Sequence, residues 1–182
     1  MKELDKNLKR KYSFSDYDPN WVIKFALIKE HLSHVFNKKA LAIEHIGSTS
    51  IPNMKAKPII DVLVIVERME NFTEEKQKMI DADYEWGEDY IAPDTLIFFK
   101  AGAGGEKFEN IHVCQKDAPK VRQFIVKRDF FCAFPDKAKV YADLKEKNFR
   151  EHPNDYPAYR AAKVDFLDKI EEEAYRWQGS QT

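Results

Sequence analysis

Residues 44–66 read EHIGSTSIPNMKAKPIIDVLVIV, two apolar runs separated by a small, polar, proline-bearing link. The first run, Ala40 to Ile46, predicts a short strand that Gly47-Ser48-Thr49-Ser50 interrupts. The second, Ile59 to Val66, is β-branched and nearly continuous. Such a run suits a central strand covered on both faces, because a half-exposed strand would alternate with polar residues. One acid, Asp61, stands inside it. A buried, unpaired carboxylate costs several kcal/mol, so Asp61 has to find a partner, a metal or the open end of the strand. His112 and Lys57 are the partners the sequence offers. Alternation places Leu63 on the same face as Asp61.

Upstream, Asp18-Pro19 starts a helix, with Asp18 as cap and Pro19 at its first position. Trp21, Phe25, Ile28, Leu32 and Val35 then form one apolar stripe. Downstream, Asn71 or Thr73 caps a short helix to about Ala82, and 84–92 can form a further strand. TLIFFK (95–100) and FENIHVCQ (108–115) read as a hairpin, closed by the glycine-rich AGAGGEK. That loop has no Gly-Lys-Ser/Thr ending and no capped helix after it, so it reads as a hairpin connection rather than a nucleotide loop. Pro119 opens a helix with Val121, Phe124, Ile125 and Phe131 inward. Pro135-Asp136 starts another, and Asp155 opens a last one with Tyr159, Ala162, Phe166 and Ile170 on one stripe. The pattern predicts an α/β (α+β) domain with a mixed sheet and a helical C-terminal part. Residues 1–16 are expected to be frayed, and 17–182 to form one domain.

The 182 residues are 43% hydrophobic, 13% aromatic and 34% charged, too apolar for a disordered chain and too charged for a membrane protein. No window approaches the roughly 20 apolar residues of a spanning helix, and the N-terminus lacks the apolar core of a signal peptide. The expectation is a cytoplasmic protein with no membrane partner. Cys114 and Cys132 read as reduced, buried small hydrophobes. A net charge of −1 and scattered, balanced lysines and arginines disfavour nucleic acid as a partner. There is no His-x-x-x-His, G-x-S-x-G or paired Cys/His set, so zinc and serine-hydrolase chemistry have no support.

Several residues can carry chemistry. A strand ending in Gly47-Ser48, with Thr49 and Ser50 following, can offer backbone and hydroxyl donors to a phosphate. It can also be a tight turn, with Ser or Thr capping a short helix, as Gly-Ser turns commonly are. His112 alternates against Ile111 and Val113, as a packed strand histidine or a site residue would. Arg128-Asp129, within an otherwise apolar helix, fits a buried ion pair, an anion contact or a solvated face. Arg160 and Lys163, three apart, share a helix face and can hold a phosphate or face water.

Together these segments resemble the GrpB family, a branch of the nucleotidyltransferase superfamily. Ile46-Gly47-Ser48 followed by Asp61 is similar to that superfamily's signature. Tyr17-Asp18-Pro19-Asn20-Trp21, Phe98-Phe99-Lys100, Ile111-His112-Val113, the Phe124 to Phe131 segment and the Tyr159/Lys163 helix resemble other family positions. The resemblance runs from about Tyr17 to about Ile170 and implies a nucleotidyltransferase-like mixed sheet flanked by helices. In that layout Gly47, Ser48, Thr49, Ser50 and Lys57 would contact phosphate. Asp61 and His112 would be catalytic and hold one divalent metal, Mg or Mn, and His45, Arg128 and Lys163 would lie near the cleft. The resemblance implies a nucleotide or other phosphorylated small molecule as ligand, and nucleotidyl or phosphoryl-type transfer if the protein is an enzyme. The sequence departs from the superfamily at Leu63, where a second acid is usual, and at His112, on the strand expected to carry a third. That departure also fits a catalytically degenerate ligand-sensing or protein-binding domain on the same fold.

Overall fold

The computed structural model describes residues 12–70, 72–87 and 94–181. Helix α1 (Asn20–Phe36) leads into β1 (Ala40–Ile46), a 3-10 turn (Ser48–Ser50) and β2 (Ile60–Val66). Helix α2 (Thr73–Asp81), β3 (Glu85–Trp86), β4 (Thr95–Ala101) and β5 (Lys107–Gln115) follow. The chain ends in α3 (Pro119–Ala133), α4 (Pro135–Glu151), α5 (Tyr156–Ala161) and α6 (Val164–Gly179). The five strands form one mixed sheet in the order β1-β2-β5-β4-β3. β2 and β5 are parallel; the other neighbours are antiparallel.

The near-continuous apolar run of β2 is explained by its place. Val62, Leu63 and Val64 are fully buried, because helices cover both faces of the strand. Val62, Val64, Ile111 and Val113 pack under Trp21, Leu32 and Phe36 of α1. On the opposite face Leu63 and Cys114 meet Ile46 and the α3 residues Val121, Phe124 and Ile125. A third apolar cluster joins α3, α4 and α6 through Phe130, Phe131, Tyr141, Ile170 and Ala174. The glycine-rich loop closes the β4–β5 hairpin, with Gly102 N–H donating to Glu106 and Gly105 N–H to Gly102.

Several expectations need correction. α1 starts at Asn20, one residue late, and Asp18 Oδ1 accepts from the Asn20 N–H at 2.9 Å. The last helix is two helices. α5 ends at Ala161 and α6 begins at Val164, with Lys163 at the break, where φ is −116° and ψ −1°. Apolar periodicity runs through so short a break undisturbed, so the pattern alone could not show it. Cys132 is exposed; only Cys114 is buried. Tyr12 to Asp16 are not frayed. Ser15 pairs with Ala56 in an antiparallel bridge, and the Tyr12 hydroxyl donates to the His152 carbonyl. Of the strand expected over 84–92, only Glu85–Trp86 is seen among the described residues. Residues 88–93 lie outside them, as do Asn71 and residues 1–11.

Candidate functional site

Gly47 follows the last residue of β1, and Ile46 is in register with Asp61 across the β1–β2 ladder. The turn therefore lies over the start of β2. Gly47 has φ +72° and ψ −172°, a conformation essentially confined to glycine. A Cβ there would lie 2.5 Å from Asp61 Oδ2. Close approach and backbone conformation thus both demand glycine. The turn is tied down by Ser50 Oγ donating to the Gly47 carbonyl at 2.6 Å and Thr49 Oγ1 donating to the Ile59 carbonyl at 3.1 Å. We expect Gly47→Ala to cost about 1–3 kcal/mol of stability and to push the Asp61 carboxylate out of place. Chemical denaturation and the ligand titrations described below would both register the change.

His45 reaches the same turn from beneath. Its Nε2 lies 3.0 Å from Thr49 Oγ1, and its ring stacks on Phe25 at 4.7 Å. Since Thr49 already donates its proton to Ile59, His45 is the donor in that contact and carries its hydrogen on Nε2. Burial pushes its pKa down to about 4, so the ring is neutral at physiological pH. His45 is a support of the turn rather than part of the cleft wall.

Asp61 is partly buried, and its partner is neither His112 nor Lys57. Asn110 Nδ2 donates to Asp61 Oδ1 at 2.7 Å. Parallel pairing decides this: Asp61 is opposite Asn110, while His112 is opposite Leu63. An amide thus stands beside the carboxylate, where the sequence alone pointed to the histidine two residues on. His112 packs against Phe124 at 4.9 Å, and burial lowers its pKa.

One cleft of about 370 Å³ gathers Gly47, Ser48, Thr49, Lys57, Asp61, His112 and Lys163. Lys107, Asn110, Lys145, Tyr156 and Arg160 complete much of its wall. Of these, only Arg160 had a sequence-level reading as a phosphate contact. Lys107, Lys145 and Tyr156 come from elements far apart in the chain, and no motif joins them. Ser50, His45 and Arg128 do not line this cleft. Arg128 Nη1 instead pairs with Glu44 at 2.7 Å and donates to the His45 carbonyl at 3.1 Å, while its Nε reaches Asp129 at 2.8 Å. Of the readings open for Arg128, the structure selects the ion pair.

Among the described residues, Lys57, Lys107, Lys145, Arg160 and Lys163 share the cleft with one carboxylate, Asp61. Lys57 Nζ donates to the Tyr156 hydroxyl at 3.1 Å and lies over the Tyr156 ring at 4.3 Å. Lys145 is buried. It donates to the Lys55 carbonyl at 2.7 Å and lies 4.7 Å from the Tyr141 ring centre, and no carboxylate among the described residues pairs with it. Lys163 lies 5.1 Å from the Tyr159 ring centre, again with no ion pair among the described residues. Burial, and then the neighbouring cations, push Lys145 well below the ordinary lysine range and Lys163 down to about 8.

Among the described residues no three His, Cys, Asp or Glu side chains converge, and no helix is long and apolar enough to cross a membrane. A family model described as GrpB protein matches residues 11–173. The chain is 36% identical over 171 residues to the protein YqkA of Bacillus subtilis (strain 168), covering 93% of this chain and 49% of YqkA. The crystal structure of the conserved protein GrpB from Enterococcus faecalis superposes with a TM-score of 0.86 at 30% identity, covering 91% of this chain and 99% of that one. A dephospho-CoA kinase of Mycolicibacterium paratuberculosis is 24% identical over 186 residues, covering 90% of this chain and 46% of the kinase. The chain thus spans about half the length of YqkA and of that kinase.

Proposed function

The chain belongs to the GrpB family, and from that premise we propose that it binds a phosphorylated small molecule, of the nucleotide or sugar-phosphate kind, in the cleft beside Gly47 and Asp61. The observation that carries this reading is that two lysines of the cleft wall, Lys145 and Lys163, have no ion pair among the described residues. Taking an ammonium out of water is costly unless a negative charge compensates it. Lys145 and Lys163 have only dipoles and ring faces as partners among the described residues. A phosphate would supply the counter-charge through charge-assisted hydrogen bonds, and the Arg160 guanidinium suits paired phosphate oxygens. Asn110 holds Asp61 against the glycine turn, so the carboxylate serves to place the turn and to offset the surrounding lysines.

The divalent metal implied by the family resemblance does not fit this donor set. Mg²⁺ and Mn²⁺ favour several oxygen ligands, and here the second position is Leu63, fully buried hydrocarbon. The residue opposite Asp61 is an amide, and the surrounding charge is positive. The reading proposed here is therefore metal-independent binding rather than two-metal nucleotidyl transfer.

Calorimetric titration with ribose 5-phosphate tests it, using wild type and Asp61→Asn, each with Mg²⁺ and with chelator. We expect binding in all four titrations, with Asp61→Asn about threefold or more tighter because one negative charge beside the anion is gone. Binding that requires Mg²⁺ and disappears in Asp61→Asn would establish a metal site instead. No binding in any arm would remove the cleft as a phosphate site.

A further inference from the structure

A second hollow of about 140 Å³ adjoins the Gly47-Ser48 turn, and it shares Gly47, Ser48 and Phe124 with the cationic cleft. Its character is different. Phe131, Tyr141, Ile51 and Leu167 supply apolar wall. The Phe131 and Tyr141 rings are stacked, 5.2 Å apart and 10° from parallel, and Tyr141 stacks in turn on Phe166 at 5.6 Å. The wall is thus a rigid aromatic surface rather than a set of mobile side chains. Two cations, Lys127 and Arg128, also line it, but both are neutralised. Lys127 pairs with Glu171 at 3.0 Å, and Arg128 with Glu44 and Asp129 at 2.7 and 2.8 Å. Tyr141 and the turn residues Gly47 and Ser48 line the same hollow, so the aromatic wall adjoins the turn.

Two hollows therefore meet at one turn, one lined by lysines and an arginine and one aromatic, its two cations paired. A phosphate alone would use only the first. The size of the second is informative, because an apolar cavity of about 150 Å³ is known to accept a single benzene ring. Rings stack well on aromatic walls with offset or edge geometry.

We propose that the neutral hollow is a subsite for a flat aromatic ring, so that the ligand is a phosphate ester bearing such a ring, as a nucleoside monophosphate does, spanning the Gly47-Ser48 turn. The inference rests on the phosphate reading of the cleft and adds to it the identity of the other end of the ligand.

The test compares ribose 5-phosphate with uridine and adenosine monophosphates, which add only the base, in wild type and in Leu167→Trp. Leu167 lines the neutral hollow and not the cationic cleft, so an indole there fills the hollow alone. Leu167→Phe, a smaller filling, serves if the tryptophan variant does not fold. In wild type at least one nucleotide should bind about tenfold or more tighter than ribose 5-phosphate, the effect expected of burying one ring. That advantage should vanish in the filled variant, with ribose 5-phosphate affinity unchanged. Equal affinity for all three compounds in wild type would overturn the subsite while leaving the phosphate cleft standing. So would a nucleotide advantage that survives the filling. Failure of all three to bind would remove the phosphate reading itself, and the subsite with it.

Discussion

Lys163→Met is expected to weaken ribose 5-phosphate binding by about 10- to 100-fold, the worth of one charge-assisted hydrogen bond at about 1.5–3 kcal/mol. The same substitution should raise the melting temperature of the unliganded protein. Lys163 is partly buried at the break between α5 and α6, and its contact is the Tyr159 ring. An ammonium in that position gives up hydration that no carboxylate restores, and methionine fills a similar volume without that cost. Relief of about 1–3 kcal/mol corresponds to a rise of about 3–8 °C in a chain of this size. Stability and binding should therefore move in opposite directions, as happens when a residue is kept for a ligand rather than for the fold. Lys139→Met, at an exposed lysine on α4 paired with Asp143, is the control and should change neither. Differential scanning calorimetry and titration calorimetry on both variants provide the check. A Lys163→Met protein that is less stable yet binds unchanged would assign Lys163 a structural role.

The second large effect is on protons. Burial comes first, then Lys57, in lowering the Lys163 pKa to about 8; Arg160 lowers it further, while Tyr156 and Asp61 oppose the shift. Lys145 is lowered in the same direction by burial, Lys163 and Lys57. An anion placed among these groups favours their charged forms, so binding above pH 8 should take up protons. We expect roughly half to one proton per ligand near pH 8.5, and affinity that falls by up to about tenfold per pH unit above that. In the unliganded protein the sign is reversed. Between about 8 and the ordinary lysine value of 10.5, the unfolded chain holds a proton at Lys163 that the folded one has lost. This group's contribution therefore makes the folded state more stable as pH rises through that window. Below pH 8 both states are protonated and the full desolvation cost is carried. Titration in buffers of different ionisation enthalpy measures the uptake directly. Proton-neutral binding at pH 8.5 would mean that the ligand is not seated among these lysines.

Much of the fold was legible because local physics dominates there. The β-branched run at 59–66 has few alternatives to a covered strand, and Val62, Leu63 and Val64 are buried as that reading requires. The Gly47 turn and the isolated Asp61 were legible for a related reason, since each breaks a pattern. The departures have separate causes. Residue type favours the interior for Cys132, yet the position is exposed. The break before α6 falls in Ala161-Ala162-Lys163, residues that continue a helix as readily as they end one. The partner of Asp61 is not legible locally, because parallel register between β2 and β5 depends on α2, β3 and β4 between them, and no local rule counts across that distance.

Spacing and polarity in the chain determined a mixed sheet, a glycine turn at the end of β1 and a lone acid at the start of β2, because these follow from side-chain periodicity and from the conformations glycine alone adopts. The tertiary structure decided that Asn110 stands against Asp61, that Lys57, Lys107, Lys145, Arg160 and Lys163 share one cleft, and that Arg128, on α3, is neutralised by Glu44 from β1 and by its neighbour Asp129. In composition the cations and anions nearly cancel, at 30 Lys and Arg against 31 Asp and Glu. Only folding sorts them, since the field at a point depends on distance and burial and not on order along the chain.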